Sequence, residues 1–378
     1  MNVCFFSPYI PDSSVGGGEK HLFDIALVVA RKYHVSIAIS ADRWQDPAVI
    51  RRKYEAFLGR DLSEISFVPT PLFSGEASFL ERLLWTRSFD YLFYWTDGSL
   101  FFSLAGVNNL HIQVPFTSPK SVFDRLKLLN WQIRNTNSEF TKNVIEGSWK
   151  TAVTHVHYPL VDLQEFRSNQ PKEKIILHVG RFFKQLHSKR QDVLVETFDK
   201  LCTKHPKLLK GYRLVLIGAP EDTEYVSHIK QAAVGLPVTF LHDLSREELV
   251  KWYKRAQIYW HATGYGVDQT KNPEKVEHFG ISTIEAMAAG AIPVVINKGG
   301  QSEILAGELS HLLWDTQDQA VQITADLLQK PDAVKNAQQL IKQRLEVFDQ
   351  PAFEQRVWEM FEYSVWLVYA NLGSYTHL

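Results

Sequence analysis

The chain has 378 residues, 45% hydrophobic and 22% charged, with 41 basic against 42 acidic side chains and a net charge of -1. That length exceeds one average domain and can bury a sizeable core, while the near-neutral balance excludes the strong basic excess that phosphate contacts to a nucleic acid demand. The only cysteines, Cys4 and Cys202, exclude a disulfide framework or a cysteine metal cluster and fit a reducing compartment.

From Met1 the chain shows no basic stretch and meets Pro8 too early for a signal peptide. Short apolar runs then alternate with helical patterns. Val3–Ser7 reads as a buried strand, followed by a glycine-rich turn and a helix over Glu19–Lys32. Strands are expected at Val35–Ser40, Ile65–Pro69, Tyr91–Trp95 and Leu110–Val114, with a helix at Ala48–Leu58. The best candidate for a membrane span, 91–110, is broken by Asp97, Gly98 and Asn108. A soluble cytoplasmic protein is the expectation. The polar stretch Asp162–Lys174 reads as an interdomain linker. Beyond it, strands are expected at Ile175–Val179, Leu214–Ile217, Val238–Leu241, Ile258–His261 and Ile292–Ile296, with Ser245 and Glu248 in capping-box spacing at the head of a helix over Arg246–Arg255. Such β-α alternation implies mostly parallel sheets covered on both faces. The tail, Phe353–Leu372, carries a long helical apolar pattern with Trp358, Phe361, Trp366 and Tyr369.

Several segments have the residue types for chemistry. Gly16-Gly17-Gly18-Glu19 follows the first strand but breaks the dinucleotide fingerprint at His21, which weakens a nicotinamide reading; it can approach a phosphate or sugar closely, or be a flexible turn. Phe123–Trp131, flanked by Lys120 and Arg134, is amphipathic and basic, as in a helix lying on a membrane or one half-buried in a core. Arg181 leaves a strand end and Lys189 precedes the next helix, so the two can neutralise a diphosphate without metal, or be solvated charges. In Glu277-His278-Phe279-Gly280-Ile281-Ser282-Thr283-Ile284-Glu285, a glycine turn opens a helix whose first N–H groups suit phosphate oxygens. Glu285 is placed to accept from ribose hydroxyls, or to complete a capping box with Ser282.

In their order, the Gly16-Gly17 turn with Glu19, the Gly180-Arg181 and Lys189 loop, the Glu277 to Glu285 segment and Gly299-Gly300-Gln301-Ser302-Glu303 resemble the retaining GT-B-fold glycosyltransferases of family 4, over nearly the whole chain. Asn137-Ser138-Glu139-Phe140 and Tyr158-Pro159-Leu160-Val161-Asp162 resemble interdomain-side segments of that family. The resemblance implies an α/β protein of two Rossmann-like domains with parallel sheets facing a central cleft. Residues 1–165 would form the acceptor side and 166–352 the nucleotide-sugar domain, with the helix near 353–372 packing back on the first. It implies transfer of a sugar, with retention and without a cofactor, from a UDP- or GDP-type donor to a glycan or lipid-linked acceptor. The Arg181 and Lys189 countercharges and the lack of an Asp-x-Asp pair give the expectation of a metal-free reaction, and the Phe123–Trp131 pattern, read as a membrane-lying helix, that of a protein peripheral on the inner membrane face. By position, Arg181 and Lys189 would hold the diphosphate and stabilise its departure, Glu285 would bind ribose and Glu277 the transferred sugar. Backbone N–H groups of Phe279, Gly280, Ile281, Ser282 and Thr283 would bind donor sugar and phosphate, and Gly16 and Gly17 would approach the phosphates from the other domain.

Two departures stand out. Where the family has His-x-Pro this chain reads Gln113-Val114-Pro115, and His111 either takes the catalytic place or packs in the core. An insert runs from Gly264 through Lys275, where Lys271, Glu274 and Lys275 can shape donor choice or simply face solvent. An epimerase or hydrolase of nucleotide sugars on the same architecture, and a non-catalytic sugar-nucleotide-binding module, are the alternatives. Intact Arg181, Lys189, Glu277 and Glu285 argue against the last.

Overall fold

The computed structural model describes residues 1–10, 16–116, 119, 121–185 and 188–371, with side chains as far as residue 363. It divides into two compact units, 1–160 with 351–378, and 161–350.

In the first unit the elements run β1 (Asn2–Phe6), α1 (Gly17–Ala30), β2 (His34–Ser40), α2 (Pro47–Leu58), β3 (Ile65–Thr70), α3 (Phe79–Thr86) and β4 (Tyr91–Trp95). They continue as β5 (Val107–Ile112), α4 (Val122–Leu129), β6 (Ile133–Thr136), α5 (Glu139–Trp149) and β7 (His155–Val156). Seven described strands form one parallel sheet in the order β3-β2-β1-β4-β5-β6-β7. Strands covered on both faces need apolar residues at every position, and β4, Tyr-Leu-Phe-Tyr-Trp, is buried throughout. Alternate residues feed two cores. Phe5, Phe93 and Trp95 meet α1 and α2 on one side, while Phe6, Leu92 and Tyr94 meet Leu128, Trp131, Ile145 and Trp149 on the other.

The second unit runs α6 (Leu163–Phe166), β8 (Glu173–Val179), α7 (Gln191–Lys204), β9 (Arg213–Ile217), α8 (Thr223–Ala232), β10 (Val238–Leu241) and α9 (Arg246–Arg255). It continues β11 (Ala256–His261), α10 (Ile281–Ala288), β12 (Ile292–Ile296), α11 (Gly300–Ile304), β13 (Leu313–Trp314), α12 (Gln317–Gln329) and α13 (Pro331–Leu345). Its described strands are parallel, in the order β10-β9-β8-β11-β12-β13. Each sheet therefore reverses its strand order beside its first strand, between β1 and β4 and between β8 and β11. Such switch points open a crevice at the carboxyl ends of the strands, where open α/β sheets bind ligands. With its two parallel α/β sheets the chain has the GT-B fold.

The last helix, α14 (Gln350–Asn371), sends Phe353, Val357, Met360 and Phe361 into the α1/α2 core of the first unit, and the Phe361 ring stacks on Tyr91 at 4.4 Å. The side chains of Trp366 and Tyr369, and Leu372 itself, lie outside the described residues. The stretch read as a linker is structured at its start: Asp162 caps α6 through the amides of Gln164 and Glu165, and Phe166 is buried against Tyr253 at 5.3 Å. That packing puts the first crossing at Leu160/Val161 rather than 165/166.

Candidate active site

In the second unit the carboxyl ends of β8 and β11 lie side by side, with Leu177 opposite Tyr259. β8 delivers Gly180 and Arg181; β11 ends on His261. Lys189, just ahead of α7, crosses the end of β8 so closely that a Cβ on Gly180 would lie 2.7 Å from its Cγ. Its ammonium reaches Glu277 Oε2 at 2.6 Å. The same oxygen is 3.1 Å from His261 Nε2. An ionised carboxylate only accepts, so His261 donates from Nε2. Burial holds this imidazole below its ordinary pKa, which keeps it neutral. Lys189 and Glu277 retain 14% and 16% side-chain exposure, and His261 none. This is a nearly dry ion pair with one open side. His178, one strand over and 5.8 Å from the His261 ring, is lowered to about 3, mainly by burial.

The turn that holds Glu277 is fixed by glycines. Gly280 has φ +122°, and a Cβ there would fall 2.4 Å from Gln301 Nε2. A Cβ on Gly300 would fall 2.4 Å from the Phe279 carbonyl, while the Gly300 amide donates to the Glu277 carbonyl at 2.8 Å. No side chain caps α10, which starts after Gly280. The Thr283 amide bonds the Gly280 carbonyl at 3.0 Å, so the amides of Ile281 and Ser282 are the first-turn donors left for an anion. The Thr283 hydroxyl turns inward to Gln301 at 2.8 Å, and Phe279 packs on Phe348.

The capping alternative for Glu285 does not hold. Ser282 lies inside the helix and its hydroxyl pairs with the Tyr259 hydroxyl at 2.8 Å, so it is no N-cap. Glu285 instead receives Arg246 Nη1 on Oε1 at 2.9 Å. Arg181 stands apart from Lys189: it is half exposed, lies over the Phe183 ring and meets Glu221 at 3.2 Å. The two expected diphosphate cations therefore pair with different carboxylates. The insert braces the glycine turn, with Gln269 accepting from the Gly299 amide at 2.9 Å and Lys298 donating to the Val267 carbonyl at 3.1 Å, while Lys271 and Lys275 face solvent.

In the first unit Gly16 caps α1, its amide donating to Glu19 at 2.9 Å, and Gly17 is the first helical residue. His111 lies in the core of the first unit. The ring is fully buried, bonded through Nδ1 to the Asn135 amide oxygen and packed 4.0 Å from the Trp95 ring. A side chain without solvent access cannot exchange a proton with a substrate unless its neighbours move. Half-buried Gln113 reaches the glycine turn instead, 3.2 Å from where a Cβ on Gly18 would stand. On α4, Val122, Phe123, Leu126 and Leu129 are 48–77% exposed, beside exposed Arg125. Lys120 lies outside the described residues. Among the described residues no helix is long and apolar enough to cross a membrane.

Sequence reasoning missed Arg246, His261 and His178 as site neighbours. Arg246 stood inside a recognised capping box, and the histidines ended apolar strand patterns. Residues 162–344, which lie within the second unit, match the family model for glycosyl transferases group 1. The chain is 30% identical over 212 residues to the GDP-Man:Man(3)GlcNAc(2)-PP-Dol alpha-1,2-mannosyltransferase of Xenopus laevis, covering 49% of this chain and 41% of that protein. It is 23% identical over 374 residues to the alpha-1,3/1,6-mannosyltransferase ALG2 of Rhizomucor pusillus, covering 83% of this chain and 80% of that one. In structure it resembles Anabaena Alr3699/HepE, solved in complex with UDP and glucose, with a TM-score of 0.66, 17% identity and coverage of 96% and 99%. The chain covers 40–42% of the lengths of the first three relatives.

Proposed function

We infer that the chain is a retaining glycosyltransferase that moves a sugar from a nucleotide-diphosphate donor to a lipid-linked or other glycan acceptor, without a divalent metal. The observation that carries this reading is the juxtaposition, at the β8/β11 switch point, of Lys189, Glu277 and the uncapped start of α10. The amides of Ile281 and Ser282 and the Lys189 ammonium suit a diphosphate, Glu277 suits hydroxyls of the donor sugar, and Glu285 suits ribose hydroxyls. Arg181 is a half-exposed second cation. Among the donors and acceptors that fit, the names of the mannosyltransferase relatives favour GDP-mannose and a polyprenyl-diphosphate-linked glycan.

In the reaction, the bond between the anomeric carbon and the β-phosphate oxygen breaks and its electron pair stays on the diphosphate. The acceptor hydroxyl forms the new bond on the same face, and its proton passes to the departing phosphate oxygen. Negative charge grows on the diphosphate as the bond breaks, so a fixed ammonium and fixed amides stabilise the transition state more than the bound donor.

The test is a thermal-shift panel of UDP- and GDP-sugars, followed by transfer to a polyprenyl-diphosphate-linked acceptor with and without EDTA. A donor at about 100 times its Kd should stabilise the protein by roughly 2.7 kcal/mol, and turnover should survive chelation with the anomeric configuration kept. Failure of every nucleotide sugar to bind would remove the reading. Loss of activity in EDTA, restored by magnesium or manganese, would remove its metal-free part.

The apolar face of α4 supports peripheral association with anionic membranes, since exposed Phe and Leu beside basic residues bury in the headgroup boundary. Full-length protein should float with anionic vesicles at low salt, and Phe123→Glu with Leu129→Glu should abolish this without changing the melting temperature. Absence of wild-type flotation would leave a soluble acceptor.

A further inference from the structure

Arg246 is the first residue of α9, inside its capping box, in which the Ser245 hydroxyl accepts from the Glu248 amide. Its guanidinium is fixed on three sides. Nε and Nη2 grip both oxygens of Glu165 at 2.7–3.2 Å, the plane lies 4.9 Å over the Phe166 ring, and Nη1 is left to meet Glu285 Oε1 at 2.9 Å. Burial works against this charge, and the Glu285 and Glu165 carboxylates outweigh it, holding Arg246 above its ordinary pKa. Glu285 is only 10% exposed. Its near neighbour Tyr253 is a buried phenol pushed up first by desolvation and next by the Glu285 charge.

We propose that Arg246 is the positioning residue for donor ribose: anchored by Glu165, it fixes the Glu285 carboxylate by one oxygen so that Oε2 faces the ribose hydroxyls. The inference rests on the reading of Glu285 as the ribose ligand. A lone glutamate has freely turning side-chain torsions. A guanidinium held in advance by a second carboxylate removes that freedom before the donor arrives. Arginine suits the place because its planar fork grips Glu165 with two N–H groups while a third reaches Glu285, whereas an ammonium is a point charge without that geometry.

The experiment compares binding of a nucleoside diphosphate with that of its 2′,3′-dideoxy analogue, using GDP or UDP, whichever the wild type binds more tightly. The ratio of the two affinities isolates the ribose hydroxyls, and a residue that only supports the fold would leave it unchanged. Wild type is expected to favour the ribose form by tenfold or more. Glu285→Gln and Arg246→Ala should each lower the ratio at least fivefold with little change in affinity for the dideoxy analogue. Arg246→Lys should recover only part of it. If Glu285→Gln keeps the wild-type ratio, the ribose reading itself fails. If Glu285→Gln collapses the ratio while Arg246→Ala keeps or raises it, the ribose reading stands and the positioning role is overturned. Should Arg246→Ala melt too low to assay, Arg246→Lys decides, and a wild-type ratio in that variant overturns the role.

Discussion

Turnover is expected to fall about a hundred- to a thousand-fold in Lys189→Met and again in Glu277→Gln, the range seen when one preorganised transition-state donor is removed. The 2.6 Å pair invites a second interpretation, a salt bridge that only holds the strand ends together. Breaking a buried pair from one side costs about 3–5 kcal/mol, less where solvent still reaches both partners as it does here. The double variant separates the two. Removing both charges leaves no orphan, so Lys189→Met with Glu277→Gln should regain most of the melting temperature lost by Lys189→Met alone. If the residues act on diphosphate and sugar, the repaired protein stays as inactive as the single variants. If activity returns with stability, the pair is structural and the proposed site is wrong. Arg181→Ala should matter less, since Arg181 is half exposed and paired with Glu221 outside the cluster.

The strands that were easy to find in the sequence are those with no solvent face. Ile292–Ile296 and Tyr91–Trp95 are apolar at each position except a proline or a tyrosine hydroxyl, as a sheet covered twice requires. β5 was placed three residues late because Asn108 and Asn109 look like loop residues. The structure buries Asn109 by pairing: it donates to the Tyr91 hydroxyl at 2.6 Å and accepts from Asn135, which in turn meets His111. A buried amide ladder satisfied across three strands leaves no periodicity to read. β6, Ile-Arg-Asn-Thr, was missed for the same reason.

At the site, sequence order carried the glutamates, the lysine and the glycine turns, because their spacing follows from one strand, one turn and one helix. It could not separate Glu285 as ligand from Glu285 as cap, since Ser282 and Glu285 satisfy the capping pattern by composition. In the structure the helix starts at Ile281 with Gly280, at positive φ, as its N-cap, two residues too early for that box. Arg246 lies 39 residues from Glu285 and 81 from Glu165, so no local pattern could join them. For His111, alternation placed it on the same side as Gln113, but β5 ends at Ile112.

Acid is expected to unfold the first unit well before its carboxylates titrate. His21 in α1, His111 in β5 and His157 after β7 are buried together, with ring centroids 5.4 Å apart for His21 and His111 and 5.1 Å for His21 and His157. Trp95 and Phe353 close the cluster, and the charges facing it, Lys20 toward His21 and Arg356 toward His157, are of the same sign as an imidazolium. Burial lowers all three, His111 to about 4 and the others well below the ordinary value. The unfolded chain then binds protons below about pH 6.5 that the folded chain does not, so stability is complete above that pH and is lost as pH falls toward the folded values. Each ring still neutral at pH 5 costs about 2 kcal/mol there, and three of them approach the whole stability of a typical domain. Urea midpoints should be level from pH 8 to 7 and drop steeply by pH 5. His157→Phe gives the sharper check, because neither ring nitrogen of His157 has a hydrogen-bond partner among the described residues and its ring meets Phe353 edge-on at 4.8 Å. That variant should match wild type at pH 7.5 and exceed it by about 2 kcal/mol at pH 5. A parallel decline of both proteins from pH 7.5 to 5 would mean that His157 accepts a proton without leaving the core.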